Sequence, residues 1–227
     1  YVGLKREEGL DNDPFWRTEF VFSPDGDPNS AEVFKRRGIT HFWNPPGVFG
    51  DECYLAPKAG VPNEVIFVGG GAEYGHSEWP YRKQLVTWLK ETYGNRYTKY
   101  GWPETFVRNE DLNRLYANSK IAIGDFVCLN FTHQKYWSDR IFETVGRGGF
   151  IIHPFIEGLQ DCFIPGKELV FYKFGDFVEL KEKIDYYLLH DAEREEIRKA
   201  GFERVKKDHT YTSRLQSMLD RVFSGGQ

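Results

Sequence analysis

An arginine and a glutamate lie three residues apart in one short segment, and together they suit the diphosphate and the ribose of a nucleotide. Ser138 or Asp139 can cap a helix in this segment. The helix then places Arg140 in its first turn and Glu143 one turn later. The Arg140 guanidinium offers a fork of N–H donors to a diphosphate, whereas the Glu143 carboxylate accepts hydrogen bonds from two ribose hydroxyls. An ion pair of Glu143 with Arg140 or Arg147 is the structural alternative, because such pairs are common on helix surfaces.

Three consecutive glycines follow an apolar strand predicted over residues 65–68 and form a second candidate site. Because Gly69, Gly70 and Gly71 have no side chains, their backbone N–H groups can come close to a phosphate, and the following helix adds partial positive charge. Their spacing fits neither the GxGxxG fingerprint nor the P-loop motif. A phosphate-binding loop and a plain tight turn are therefore both open for these glycines.

Two loop histidines near this predicted cleft could assist a leaving phosphate, since an imidazole can donate a proton or a hydrogen bond near neutral pH. They are His76 and His133, and a solvated or structural role is the alternative for both. His133 precedes the helix that carries Arg140, and we name His133 and Arg140 as the candidate catalytic residues. Asp25 and Asp27 resemble a metal-binding pair, but their Ser-Pro-Asp-Gly-Asp-Pro context favours a turn and a helix cap. We therefore expect no metal site.

The composition of the 227 residues is that of an ordinary globular chain, with 40% hydrophobic and 28% charged residues. No stretch approaches the roughly 18 apolar residues that a membrane-spanning helix needs, which excludes an integral membrane protein. The net charge of −4 provides no basic field that would attract nucleic acid. The three cysteines stand singly, without zinc-binding or redox spacing, which favours a reducing, cytoplasmic location.

Strands and helices alternate along most of the chain, which is typical of a parallel sheet with helices on both of its faces. Residues 18–42 predict a first strand-helix-strand unit, and a proline- and glycine-rich stretch at residues 43–62 indicates an interdomain linker. Asp176 and Asp191 are the expected N-caps of two later helices. The pattern predicts a Rossmann-like, doubly wound parallel sheet preceded by a partial N-terminal α/β portion. From residue 64 onwards we predict strands at 65–68, 97–100, 120–123, 126–129, 150–152 and 168–172, and helices at 81–93, 109–118, 138–147, 176–190, 191–207 and 212–223.

Several short motifs in a fixed order resemble the group-1 glycosyltransferases, and in particular their spore-maturation CgeB-like branch. Each motif is modest by itself, but their ordered coincidence over residues 64–220 is specific. The motifs span residues 140–143, 148–152, 163–172, 181–194, 200–205 and 209–214.

This resemblance implies a GT-B architecture, in which two Rossmann-like domains face each other and the C-terminal one binds a nucleoside-diphosphate-sugar donor. Residues 1–60 are then the tail of the N-terminal, acceptor-side domain with the linker, and residues 61–227 are the donor-binding domain. The resemblance puts Glu143 at the donor ribose, Arg140 beside the diphosphate, and the backbone of residues 104–108 at the base. The further donor-binding residues that we name are Gly69, Gly70, Gly71, Phe106, Val107 and Asp139.

The expected function is the transfer of a sugar from a nucleoside diphosphate to a glycan, a protein or modified DNA, without a metal or a cofactor. Many relatives carry a second carboxylate eight residues before the helix glutamate, and Lys135 stands there instead, which leaves the donor sugar open. The chain begins at Tyr1, and we expect a fragment lacking most of its N-terminal domain. A natural compact variant and a chain that needs a partner chain are the alternatives. A nucleotide-sugar-binding module without catalysis and a sugar-nucleotide epimerase are the alternatives, since the fold alone does not decide function.

Overall fold

The chain folds into two separate parallel β-sheets, which are joined by the segment predicted as a linker. The computed structural model describes residues 14–70, 80–103, 105–125 and 134–224. The smaller sheet has two strands and the larger sheet has five. Both sheets alternate strands with helices, as the sequence pattern predicts.

The smaller sheet contains β1 (Phe20–Ser23) and β2 (Thr40–Trp43), which run parallel, with helix α1 (Pro28–Arg36) between them. The strands of the larger sheet are β3 (Asn63–Val68), β4 (Tyr97–Tyr100), β5 (Ser119–Ile123), β6 (Ile151–Pro154) and β7 (Val170–Tyr172). The other helices are α2 (Pro80–Tyr93), α3 (Asn109–Ala117), α4 (Arg140–Gly146), α5 (Phe177–Leu189), α6 (Asp191–Asp208) and α7 (Tyr211–Ser224). The strand order of the larger sheet is β4-β3-β5-β6-β7, with parallel pairing throughout. The strand predicted at 126–129 lies outside the described residues.

Buried residues along strand β3 alternate between two cores, so the larger sheet is covered on both faces. Ile66 belongs to the core formed with helices α3 and α4, whereas Val65 and Phe67 belong to the core formed with α2 and α5. Helix α6 contributes Val205 to the first core and Ile197 to the second. Strands buried on both faces are typical of parallel sheets between two helical layers. The predicted doubly wound, Rossmann-like sheet is confirmed.

Two aspartates shape the entry into helix α1. Asp27 is the N-cap, and its carboxylate accepts the Asn29 N–H at 2.9 Å. Asp25 accepts the Asp27 N–H at 3.0 Å with one oxygen and the Ser30 hydroxyl at 2.8 Å with the other. The turn and cap predicted for this pair are therefore confirmed.

The other predicted helix caps have mixed outcomes. Asp176 is the N-cap of α5 and accepts a backbone N–H of its first turn, as predicted. The prediction for Asp191 is wrong, because His190 is the N-cap of α6 and Asp191 is its first helical residue. The Asp191 carboxylate instead pairs with Arg194 at 2.8 Å. At the start of α4, Asp139 occupies the N-cap position without a side-chain cap hydrogen bond. Across the described parts of the chain, none of the helices combines the length and the apolar character that crossing a membrane requires.

The segment between the two sheets, residues 43–62, packs against the larger sheet's helices. Val48 is fully buried and forms an isolated parallel bridge with Thr210. Cys53 is buried in the same core, and burial raises the pKa of its thiol to about 11. Helix α4 permits this approach at Gly146, where an added methyl group would lie 2.8 Å from the Val48 side chain. The segment is thus built into the larger core, and the domain boundary at residue 60 stays a prediction.

Candidate functional site

A cavity of about 500 Å³ opens at the carboxyl end of the larger sheet. Ligands of open parallel sheets bind at this end, and cavities of this size hold small molecules. Its walls come from the ends of β3 and β4, from helices α3 and α4, and from the linker residue Glu52. Gly71, His76 and His133 lie outside the described residues. The cavity brings together the other predicted donor-binding residues, namely Gly69, Gly70, Phe106, Val107, Asp139, Arg140 and Glu143.

Two glycines in the cavity lining, Gly69 and Gly101, allow close contacts with neighbouring atoms. The Gly69 N–H donates to the Tyr100 carbonyl at 2.9 Å and thus extends the pairing of β3 with β4. A methyl group on Gly69 would come within 2.9 Å of the Arg140 Nη2 atom. Gly101 has φ +103°, and a methyl group there would overlap the Gly69 carbonyl. The absence of side chains at these positions lets the loops and the Arg140 guanidinium approach each other.

Arg140 pairs across the sheet edge and not along its own helix. Its Nη1 donates to one carboxylate oxygen of Asp125, and the Nε of Arg82 donates to the other oxygen. The predicted alternative, a pair with Glu143, is therefore wrong for Arg140. Burial by itself raises the pKa of the Asp125 carboxyl, but the charges of Arg140 and Arg82 outweigh burial and lower that pKa. Both guanidiniums also lie over the Phe67 ring, 5.4 Å and 5.9 Å from its centroid.

A buried histidine lies beside this ion cluster. His153 is 2% exposed, and burial lowers its pKa to about 4, so the ring is neutral at physiological pH. Its Nδ1 lies 2.8 Å from the Pro154 carbonyl. Gly124 lies so close to the ring that a methyl group on it would overlap the imidazole. The two guanidiniums, the one carboxylate and the neutral imidazole of this cluster together carry one net positive charge.

Glu143 presents an unused carboxylate to the cavity. Its side chain is half-buried, and within residues 14–70, 80–103, 105–125 and 134–224 it makes no hydrogen bond or ion pair. Burial, reinforced by the negative charge of Asp139, raises the pKa of Glu143 above its ordinary value. A carboxylate that is partly desolvated and unpaired gains most from a ligand that donates hydrogen bonds to it.

Arg147, which lines the cavity, forms an ion pair with the linker residue Glu52. It is 3% exposed, and its Nη2 lies 2.5 Å from a Glu52 carboxylate oxygen. Its Nη1 donates to the Asn113 side chain at 2.6 Å and to the Asn109 carbonyl at 3.1 Å. The predicted alternative, an intrahelical pair with Glu143, is therefore also wrong for Arg147. The linker thereby contributes an acidic side chain to the cavity.

Exposed aromatic rings mark the mouth of the cavity. Phe106 is 58% exposed and Trp102 is 51% exposed, although both are large apolar side chains. The Arg108 guanidinium lies over the Phe106 ring at 5.3 Å. Planar aromatic and guanidinium groups at an opening offer faces on which a nucleobase can stack.

Lys135 lies outside the cavity lining. Its Nζ pairs with Asp161 at 3.2 Å and lies 5.0 Å from the Trp43 ring centroid. Its backbone N–H donates to Glu157 at 2.7 Å, and its carbonyl accepts from Gly26 at 3.0 Å. Lys135 therefore joins the turn after β1 to the larger sheet's loops.

Four polar residues of the site were not found from the sequence. Asp125 lies two residues after the end of β5, so the rule that ligand sites lie beyond strand ends could have drawn attention to it. Arg82 follows the glycine loop in the first turn of α2 and carries a weaker signal of the same kind. Glu52 and Arg147 gave no local signal for their pairing, because one lies in the linker and the other ends α4. Among residues that the structure describes, no group of three or more His, Cys, Asp or Glu side chains is arranged to hold a metal ion.

A family model described as glycosyl transferase-like matches residues 82–220 of the chain. A comparison with curated proteins finds no match. The family match runs from the first turn of α2 into α7, and it includes Arg82, Asp125, Arg140 and Glu143.

Solved structures of glycosyltransferases are similar to this chain in fold. Sucrose-phosphate synthase from Thermosynechococcus elongatus has a TM-score of 0.63 at 16% identity, covering 100% of this chain and 66% of its own. A glycosyltransferase from Rickettsia africae has a TM-score of 0.60 at 15% identity, covering 92% of this chain and 64% of its own. HepE from Anabaena, in complex with UDP-glucose, has a TM-score of 0.63 at 13% identity, covering 91% and 64%. The chain thus spans about two thirds of the length of these proteins, and the likeness is one of fold.

Proposed function

This chain belongs to the glycosyl transferase-like family, and on that premise we propose that it binds a nucleoside-diphosphate-sugar and transfers the sugar to an acceptor. The observation that carries the proposal is the pair of side chains on α4. Arg140 and Glu143 line one cavity, the first as part of a net positive cluster and the second as an unpaired carboxylate. A guanidinium suits a diphosphate and a carboxylate suits ribose hydroxyls, and a nucleotide presents these two groups side by side.

We propose that the donor lies across the cavity from the sheet edge to its mouth. The diphosphate faces Gly69, Gly70 and Arg140, where the cluster supplies positive charge. The ribose hydroxyls donate to Glu143. The base lies at the mouth against Phe106 and the backbone of Val107, where exposed rings are available for stacking.

The proposed chemistry is displacement at the anomeric carbon of the donor sugar. An acceptor hydroxyl forms a new bond to that carbon, the bond from it to the diphosphate oxygen breaks, and the acceptor proton leaves to a base. Negative charge develops on the departing diphosphate, and Arg140 with its net positive cluster stabilises it. Guanidinium and backbone donors can do this without a metal ion, which is why we propose a metal-independent and cofactor-free transfer. His133, named as a candidate catalytic residue, stays a prediction.

The comparisons support uridine nucleotides as the first donors to test. The structure of HepE, similar in fold, is a complex with UDP-glucose. We retain the GT-B assignment and the CgeB-like branch as parts of the proposal, with an acceptor domain of which residues 1–60 are the tail. The acceptor is a glycan, a protein or modified DNA in this proposal.

A second candidate function is nucleotide-sugar binding without transfer. It is favoured by the cavity itself, whose lining residues account for the diphosphate, the ribose and the base of a donor. Both candidates predict donor binding, and only the first predicts transfer or slow hydrolysis of the donor.

Thermal-shift measurements with nucleoside diphosphates and nucleotide sugars test the proposal. A ligand at 100 times its Kd stabilises the folded state by about 2.7 kcal/mol, which is readily detected. We expect a shift with at least one nucleoside diphosphate, and release of free diphosphate when the corresponding donor is incubated with the protein. The proposal fails if millimolar concentrations of the whole panel leave the unfolding midpoint unchanged.

A further inference from the structure

A single buried carboxylate connects two arginines that come from opposite sides of the larger sheet. Arg82 belongs to α2, which packs on one face, and Arg140 belongs to α4, which packs on the other. Asp125 lies at the end of β5, a central strand of the sheet. Each of its two carboxylate oxygens accepts from one guanidinium. The carboxylate thus joins the two helices over the carboxyl end of the sheet.

The two arginines need such a partner to lie side by side. Their side chains are only 16% and 19% exposed, and the Asp125 side chain is fully buried. Like charges repel strongly where water is excluded, and each buried guanidinium needs acceptors for its N–H groups. Both guanidiniums also lie over the Phe67 ring. Among the residues that the structure describes, Asp125 is the one whose side chain accepts hydrogen bonds from both guanidiniums.

The cluster is connected to the cavity through Arg140. Arg140 lines the cavity and lies against Gly69, whereas Asp125 is 3% exposed and is not part of the lining. Asp125 therefore cannot itself contact a ligand in the cavity. Its influence on a ligand is exerted through the arginines it holds.

We propose that Asp125 is a positioning residue that, with Arg82 on its other carboxylate oxygen, holds Arg140 in the orientation in which its guanidinium faces the diphosphate of the donor. The inference rests on the proposed function and adds to it the group that orients the cations. The Arg140 guanidinium keeps N–H donors that Asp125 does not use, and these are available to phosphate oxygens in the cavity. A fork of N–H donors suits a diphosphate, which presents several phosphate oxygens. Arg82 balances the Asp125 carboxylate from the other side.

Asp125 could act by positioning the arginines or only by reducing the positive charge of the site, and these two roles predict opposite effects of one substitution. Asp125→Asn keeps the shape of the side chain but removes its negative charge, so the cluster becomes more positive. If Asp125 merely lowers the charge of the site, the substitution strengthens diphosphate binding. If Asp125 positions the arginines, the substitution weakens binding, because the amide has one acceptor oxygen and its NH₂ group faces a guanidinium.

Titration calorimetry with inorganic pyrophosphate, UDP and uridine, on the parent and on Asp125→Asn, distinguishes these cases. We expect the affinities for UDP and pyrophosphate to fall by about tenfold or more, the scale of one hydrogen bond to a charged group, while the affinity for uridine is unchanged. Asp125→Glu keeps the charge and displaces the carboxylate by one methylene group, so it should show the same selective loss. It replaces the asparagine variant if that variant fails to fold.

Glu64→Gln is the matched control, because Glu64 pairs with Arg96 at the opposite, amino end of β3. It should leave all three affinities at the parent values. Equal or tighter UDP binding by the Asp125 variants, or parallel losses for UDP and uridine, overturns the inference. Failure of the parent to bind either UDP or pyrophosphate overturns the proposed function first and this inference with it.

Discussion

The guanidinium of Arg140 lies against the backbone of Gly69, so closely that a methyl group on the glycine would come within 2.9 Å of Nη2. The Phe67 ring lies at 3.0 Å from the same point. The glycine therefore fixes how far the Arg140 side chain can extend along the cavity wall. Since the obstructing atom is the far end of a flexible side chain, the arginine would give way before the backbone does.

Gly69→Ala should weaken diphosphate binding more than it weakens the fold. Displacing Arg140 is expected to cost about 1–2 kcal/mol of UDP affinity, a large part of one charged hydrogen bond. The free energy of unfolding should fall by less than about 1 kcal/mol. Calorimetry with UDP and urea denaturation measure the two quantities.

Alanine substitutions at two other glycines serve as controls for the Gly69→Ala experiment. At Gly101, φ is +103° and the obstructing atom is the Gly69 carbonyl, so Gly101→Ala should cost about 1–3 kcal/mol of stability. No atom lies within 4 Å of a methyl group at Gly50, so Gly50→Ala should change neither quantity. A Gly69→Ala variant that binds UDP as the parent does would show that Arg140 is not held against the ligand.

Glu143 should recognise the ribose of the donor. Glu143→Ala is expected to lose about 1.5–3 kcal/mol of donor affinity, the range for a hydrogen bond to a charged group, and Glu143→Gln less. A 2′-deoxy nucleotide lacks one hydroxyl, so it should bind the parent more weakly than the ribonucleotide does and lose little more in the alanine variant. Titration of both nucleotides into both proteins completes a double-mutant cycle, and a coupling energy near zero in a folded variant would remove Glu143 from the site.

Nucleoside diphosphate binding should not require a divalent cation. The expectation follows from the guanidiniums of Arg140 and Arg82, which supply the positive charge that a metal would otherwise provide. UDP is titrated in the presence of a chelator and again with added magnesium or manganese. An affinity that vanishes in chelator and returns with either metal would contradict the prediction.

Glu143→Gln should stabilise the unliganded protein at neutral pH. Burial raises the pKa of Glu143, so its ionised form lowers the free energy of unfolding. This loss is absent below the ordinary pKa and becomes complete as the pH rises through the raised pKa. The variant should therefore unfold at a higher temperature than the parent at pH 7, with a difference that shrinks towards pH 4. Glu64→Gln, which breaks the pair with Arg96, should show no such gain. A Glu143→Gln variant less stable than the parent at pH 7 would contradict this sign.

Two buried histidines should make the protein sensitive to mild acid. Burial lowers the pKa values of His153 and of His209 to about 4, so the unfolded chain takes up protons at a higher pH than the folded one. Stability is expected to fall as the pH drops from about 6.5 to 4, by up to about 3 kcal/mol for each histidine. Urea denaturation across this range should show a shallower dependence in His153→Gln and His209→Gln. The exposed His190→Gln is the matched control, and unchanged slopes in the first two variants would contradict the assignment.

The regular elements were predictable because local patterns and the final packing agree. The apolar run at residues 65–68 is buried on both faces of the sheet, as its composition suggests, and the glycine after residue 93 ends α2 where predicted. The N-cap prediction for Asp191 failed for a local reason. A carboxylate in a first helical turn can pair with an arginine three residues later, and the Arg194 side chain competes with the backbone for Asp191.

The site was predictable where its residues share one segment and not where they meet across the fold. Arg140 and Glu143 stand on one helix, so their spacing alone suggested a joint role. Their true neighbours come from elsewhere. Asp125 follows an apolar run that indicated only a strand, and Glu52 reaches Arg147 from the linker. Ion pairs between distant segments leave no periodic trace in a sequence, so the partners of Arg140 and Arg147 were assigned within their own helix.

Two contacts hold the linker against the helices of the larger sheet. Val48 forms a bridge with Thr210, and Glu52 forms an ion pair with Arg147. The chain between this anchored stretch and the smaller sheet spans only the residues between Trp43 and Val48. Pro45 and Pro46 stand among them with fixed φ angles, so little torsional freedom is left. The smaller sheet is therefore tethered to the larger one by a short and stiff segment, and the backbone hydrogen bond from Gly26 to Lys135 forms a second tie.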